Sequence, residues 1–142
     1  MSPSYPRFDE ALAHIRHAAS KAELNLEEIV TSKSPGVEEA AKALTVEAPR
    51  GFRKWQLPVY LDGPAIEYLT VADPGASVGR HSHQGDGIRY IMSGSIIFNG
   101  TELTTGDWMY IPANVEYAFE TGRFGAVMSS KYQCCCETTD EL

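Results

Sequence analysis

The sequence predicts an all-β fold: an antiparallel β-sandwich or barrel carrying a short N-terminal helical arm. Three observations lead there. About eight short β-type runs follow one another with no helices between them, which excludes a parallel α/β sheet. Each run is bounded by turn residues. The first forty or so residues carry helical periodicity instead. At 142 residues the chain has the length of one domain plus an arm or tail, and 43% hydrophobic against 22% charged residues excludes a mostly disordered chain.

Taking the elements in order, residues 7–24 place Phe8, Leu12, Ile15, Ala19 and Leu24 close to one helical stripe, so a first helix is expected there. Asn25 with Glu28 resembles a capping box ahead of Ile29 and Val30, and Ser34-Pro35 sets proline at a first helical turn before Glu38, Glu39 and Lys42. Two further short helices are expected. The β-type runs are 44–46, 55–61, 65–71, 88–92, 96–98, 108–111, 117–119 and 126–132. Among the turns, Asn99-Gly100 is the sharpest, because both residue types tolerate the positive φ of a type I′ hairpin. With no internal repeat and no Gly/Ser linker, the expected organisation is a helical arm over 1–43, a barrel over 44–133 and an acidic tail over 134–142.

Charge and composition exclude several partners. Twelve basic against nineteen acidic residues give a net charge of −7, so the chain's field repels phosphate backbones and anionic lipid. Neither nucleic acid nor membrane is an expected partner, and no apolar run approaches the ~18–20 residues of a membrane span. The N-terminus, with Pro3, Pro6, Asp9 and Glu10, lacks the pattern of a signal peptide, so a cytoplasmic location is expected. Cys134, Cys135 and Cys136 are consecutive, which suits neither a disulfide framework nor a zinc spacing; reduced thiols are expected.

The chemistry concentrates around His81 and His83. Two residues apart on a strand, they face the same side, so both imidazoles can meet one ion or ligand; a surface histidine pair at a strand end is the alternative. The same parity turns Gly87, Arg89 and Ile91 inward and Ile88, Tyr90 and Met92 outward. A buried guanidinium needs an anion, because it stays charged and grips carboxylate or phosphate at two points. Arg89 is therefore a candidate anchor for a small anionic molecule, unless it pairs with Glu67 or a bulge turns it outward. His14 and His17, in the first helix, are expected at surface or packing positions.

Two ordered motifs frame this pair. The first runs Gly75, five residues, His81-Ser82-His83, three residues, Gly87, six residues, Gly94; the second runs Gly106, five residues, Pro112-Ala113-Asn114, two residues, Tyr117. Together they resemble the two signatures of the cupin superfamily, in its small single-domain, cupin-2-like form. The resemblance implies a jelly-roll β-barrel, a homodimer with an added edge strand (here from residues 44–60), and a divalent metal ion (Fe, Mn, Ni or Zn) held by three histidines and a glutamate. This chain departs from that set at two positions, with Gly87 where the family has glutamate and Tyr117 where it has the third histidine. The implied metal ligands are then His81 and His83, completed by Tyr117 or by Asp86, which lies one residue early and needs a strand bulge to reach the ion. Tyr117 and Arg89 are the candidate catalytic residues.

Two functions follow as expectations. One is a dioxygenase-like oxidoreductase acting on a small carboxylated molecule. The other is a metal-free cupin, either a sugar-type isomerase or epimerase in which histidine and Tyr117 exchange protons, or a binding module without turnover.

Overall fold

A computed structural model of the chain describes residues 7–133. The run Cys134–Cys136 and the acidic tail lie outside the described residues. The chain forms two compact units, one of residues Met1–Leu26 and Lys33–Tyr60, the other of Glu27–Ser32 and Leu61–Leu142. The division therefore falls at 60/61 instead of the expected 43/44, and a short N-terminal piece, 27–32, belongs to the second unit.

In the first unit, helix α1 (Phe8–Lys21) starts where Arg7 N–H donates to the Glu10 carboxylate at 3.2 Å. Asp9 and Glu10 in its first turn and Lys21 in its last oppose the helix dipole. Ile15 and Ala18 face inward against Ala40 and Leu44, whereas Phe8, expected on the same stripe, is exposed. Helix α2 (Val37–Ala43) begins at Gly36, whose φ of 87° suits glycine and whose missing Cβ leaves room for the Ala22 carbonyl. His14 and His17 are exposed on α1. No helix among the described residues is long and apolar enough to cross a membrane.

Two expectations for the N-terminal half are corrected. Residues 25–29 form no helix, only a short turn and bend over 26–28, and β1 (Val30–Thr31) enters a sheet of the second unit. Both residues are β-branched and both are buried there, so tertiary pairing overrides the local capping pattern. Residues 44–60 do not supply barrel strands: β2 (Thr45–Val46) pairs with β3 (Lys54–Trp55) as a separate two-stranded sheet in the first unit.

The second unit is an antiparallel jelly-roll barrel. Besides β1 it contains β4 (Ile66–Ala72), β5 (Ser77–His81), β6 (Gly87–Phe98), β7 (Thr101–Thr104), β8 (Trp108–Ile111) and β9 (Tyr117–Tyr132). The strand order is β1-β8-β6-β9-β4, with β5 also on β9 and β7 on β6. The 16-residue β9 organises the barrel: its first part pairs with β5, and the rest lies between β4 and β6. Two register irregularities in the β6–β9 pairing, at Ile91/Ser93 and Gly94/Ile96, bend β6. Gly94, with φ 71°, sits where a Cβ would overlap the Gly125 carbonyl, so the two strands approach through a gap that only glycine leaves. The β6–β7 hairpin turns through Asn99 and Gly100, both at positive φ, as their residue types predict. Ile91, Ile96, Leu103, Met109, Ile111 and Met128 form the apolar core.

Candidate functional site

The site is assembled from three strands whose facing residues are fixed by register. On β5, His81 lies opposite Tyr117 of β9; on β6, Gly87 lies opposite Tyr132 and Arg89 opposite Ser130. His81, Arg89, Tyr117, Ser130 and Tyr132 share one side because the β6–β9 register shift at Gly94/Ile96 switches the parity of β9 between Tyr117 and Tyr132, and all five are buried, as is His83. The turn carrying Pro112, Ala113 and Asn114 is held to the histidine segment. Asn114 N–H donates to the His83 carbonyl at 2.7 Å, and Ala113 N–H donates to Asp86 Oδ1 at 2.8 Å. Asn114 takes φ 65°, a left-handed conformation that asparagine tolerates.

The side chains form one hydrogen-bonded cluster. His81 Nδ1 lies 2.8 Å from the Gly79 carbonyl. A carbonyl only accepts, so that nitrogen carries the proton, and Nε2 of a neutral ring is left with a lone pair. His83 Nε2 is 3.1 Å from the Tyr117 hydroxyl, and the His83 ring stacks on Tyr132 at 4.5 Å between centroids. Arg89 donates from Nη2 to the Tyr132 hydroxyl at 2.5 Å and to the Tyr117 hydroxyl at 3.5 Å, and from Nη1 to Met128 Sδ at 3.4 Å. Its guanidinium also lies over the Phe119 ring, 4.8 Å from the centroid.

Arg89 is 7% exposed and has no carboxylate partner among the described residues. Its Nε finds no hydrogen-bond partner among the described residues. Glu67, the carboxylate the sequence offered as its mate, is exposed on β4 and accepts from Ser129 Oγ. The hydrogen bonds to two phenols and a thioether, with the contact to a ring face, leave the guanidinium's charge without a compensating anion among the described residues.

A cavity of about 350 Å³ opens against this cluster. Its wall includes His81, His83, Arg89 and Tyr132, with Tyr68 and Thr70 contributed by β4. Tyr117 does not line it. At 2% exposure Tyr117 sits behind the wall, linking His83, Arg89 and Tyr132, instead of on the cavity surface expected from the sequence. Burial pushes its phenol well above the ordinary value of 10.0; the neighbouring Tyr132 adds to the rise, and Arg89 opposes it.

Tyr132 is the residue that sequence reasoning missed. It ends the last β-run at the parity of Met128, and the available signal was a cross-strand one: a large ring opposite a glycine in the middle of a motif. A Cβ on Gly87 would overlap the Tyr132 ring, so the phenol occupies the room that a side chain at position 87 would take.

The donor set does not fit the divalent ion that the family resemblance implies. No three His, Cys, Asp or Glu side chains converge among the described residues. Asp86 does not join the histidines: its carboxylate clamps the Ala113 turn, and the strand carries no bulge that would bring it to them. The glutamate position is Gly87, covered by Tyr132. Tyr117 is held as a neutral phenol, a poor ligand, and the fixed positive charge of Arg89, bonded to the same two phenols, repels a second cation. Of the implied ligand set only His81 and His83 remain together.

An antiparallel jelly roll with a histidine-lined cavity defines the class of protein, and comparison with known proteins shows which family part of it resembles. The family model of the cupin domain matches residues 68–123, which contain the histidine pair and the second motif. That stretch of the chain is similar to the cupin domain. Similar solved structures include a protein of unknown function with a cupin-like fold from Ralstonia eutropha JMP134, at 21% identity and a TM-score of 0.47 over 52% of this chain and 53% of that one. A conserved protein with a double-stranded β-helix domain from Klebsiella pneumoniae matches at 19% identity and a TM-score of 0.48 over 56% and 77%. A putative dioxygenase from Nostoc punctiforme PCC 73102 matches at 10% identity and a TM-score of 0.45 over 49% and 25%. The chain thus spans about half of the Ralstonia protein and about a quarter of the Nostoc one. Comparison with curated proteins finds no match.

Proposed function

We propose that the barrel cavity is a metal-free binding site for a small anionic molecule, with Arg89 as its anchor. The observation that carries this reading is a buried, permanently charged guanidinium on the cavity wall without an acidic partner among the described residues. Burying an arginine unpaired costs several kcal/mol in general, and an incoming anion removes that cost while gaining charge-assisted hydrogen bonds of ~1.5–3 kcal/mol each. The positive charge that a metal supplies elsewhere in the family is supplied here by the protein itself.

Two measurements on the full chain test it. Elemental analysis of protein purified without chelator or polyhistidine tag is expected to find no stoichiometric Fe, Mn, Ni or Zn; stoichiometric metal that His81→Ala abolishes would overturn the metal-free reading and restore the dioxygenase-like one. In a thermal-shift screen, small carboxylates are expected to raise the melting temperature of the native chain and not that of Arg89→Met, because a ligand that binds only the folded state stabilises it by mass action. Equal shifts in both would remove Arg89 as anchor.

One feature favours turnover in addition to binding. The Gly79 carbonyl fixes the His81 proton on Nδ1, so Nε2 is available as a base on a wall where an anion would sit. For a bound acid that carries one, exchange of its α-hydrogen with solvent deuterium, lost in His81→Gln, is the expected sign. Its absence in the native chain leaves binding alone.

A further inference from the structure

We infer that the cavity takes an apolar monocarboxylate about the size of one ring, aromatic or alicyclic, in preference to a sugar, a polyhydroxy acid or a phosphate. The inference rests on the anion reading above and names the ligand class for that same site.

Charge sets the first limit. Among the described residues Arg89 is the only arginine or lysine on the cavity wall, and no aspartate or glutamate lines it. One guanidinium matches one carboxylate. A phosphate dianion or a dicarboxylate would leave a second charge without a cation against a mostly hydrocarbon wall, where an unpaired charge is costly.

Hydrogen-bonding capacity sets the second. Several polar groups of the deep wall are engaged by the protein. Thr121 Oγ1 accepts from Ala76 N–H at 2.8 Å and donates to the Asp73 carbonyl at 2.6 Å. The Tyr132 hydroxyl accepts from Arg89, and His81 Nδ1 is turned to the Gly79 carbonyl. A sugar would bring several hydroxyls to few open partners, and each one left unsatisfied costs ~1–3 kcal/mol. This disfavours the sugar-type isomerase that the sequence left open.

The remaining wall is hydrocarbon and size completes the match. Ala72, Val78, Phe119 and Met128 line the cavity together with the tyrosines. Burying apolar ligand surface against them is favourable at ~25 cal/mol per Å². A dry cavity of ~150 Å³ holds a benzene molecule, so about 350 Å³ accommodates one ring with its carboxylate and small substituents.

Titration calorimetry on the full chain at neutral pH tests the class with four probes: benzoate, its neutral isostere benzamide, gluconate and inorganic phosphate. Benzoate is expected to bind at least about tenfold more tightly than each of the other three, a difference of about 1.4 kcal/mol. Thr70→Phe, which fills the cavity from β4, is expected to weaken benzoate by a similar factor. Gluconate or phosphate binding as tightly as benzoate, with benzamide weak, would overturn the apolar class and leave the anion site standing. Benzamide equal to benzoate would remove the anion site along with the inference, as would no binding of any probe at millimolar concentration. Benzoate binding unchanged by Thr70→Phe would place the ligand outside this cavity and overturn the inference as well.

Discussion

Strands β8 and β4 read alike and live differently. Trp108-Met109-Tyr110-Ile111 and the run Ile66–Ala72 are both rich in aromatic and β-branched residues, yet every residue of β8 is buried and none of β4 is. Their neighbours explain the contrast. β8 lies between β1 and β6, with its side chains packed into the core, whereas β4 pairs only with β9. One face of β4 offers Tyr68, Thr70 and Ala72 to the cavity, while Leu69 and Val71 on the other face are 74% and 77% exposed. The barrel is thus packed solid on one flank and left open on the other. Apolar strand residues are spent on stability at β8 and on forming a ligand-sized space at β4.

Substitutions can break that contrast or sharpen it. The largest effect is expected on the packed flank: Met109→Ala removes a fully buried side chain and should cost ~2–5 kcal/mol in denaturant unfolding, while Leu69→Ala should stay within ~0.5 kcal/mol. Equal losses at the two positions would mean that β4 is covered in solution, and the open-flank picture would fail. An intermediate effect is expected at the seam. Gly87→Ala forces a methyl against the Tyr132 ring, which should cost ~1–3 kcal/mol and disturb the Arg89–Tyr132 hydrogen bond. Unchanged stability there would show that the Tyr132 ring does not lie over position 87.

The smallest effect is one of pH. Burial raises the phenol of Tyr117, and that of Tyr90, above the ordinary 10.0. Below that pH both the folded and the unfolded chain keep these protons, so neither group adds pH dependence. Above it the unfolded chain releases them while the folded one holds them, so stability falls as pH rises through 10. Tyr117→Phe should flatten part of this alkaline loss, with Tyr90 retaining the rest. Parallel stability–pH curves for native and variant chains would contradict a buried, neutral Tyr117.

Much of the barrel and part of the site are legible in one dimension. The Asn99-Gly100 hairpin, the inward parity of Arg89 and the pairing of His81 with His83 depend on residue type and on the two-residue period of a strand, which neighbouring positions specify. The first helix is legible for the same local reason. Residues 25–30 are not, because a capping pattern competes there with a tertiary pairing partner nearly eighty positions away, Val30 opposite Tyr110. Tyr132 is not legible either. Nothing near it in sequence marks it, and its role arises from register against Gly87 and contact with Arg89.

The sequence by itself determined an all-β jelly roll, two histidines and an arginine turned to one side, and the absence of a carboxylate at position 87. Only the tertiary structure decided what stands in that carboxylate's place, that Tyr117 lies behind the cavity wall, and that Asp86 holds a turn instead of meeting an ion. The reason is that side-chain direction follows from the local geometry of a strand, whereas a site's charge balance depends on which distant strands register beside one another.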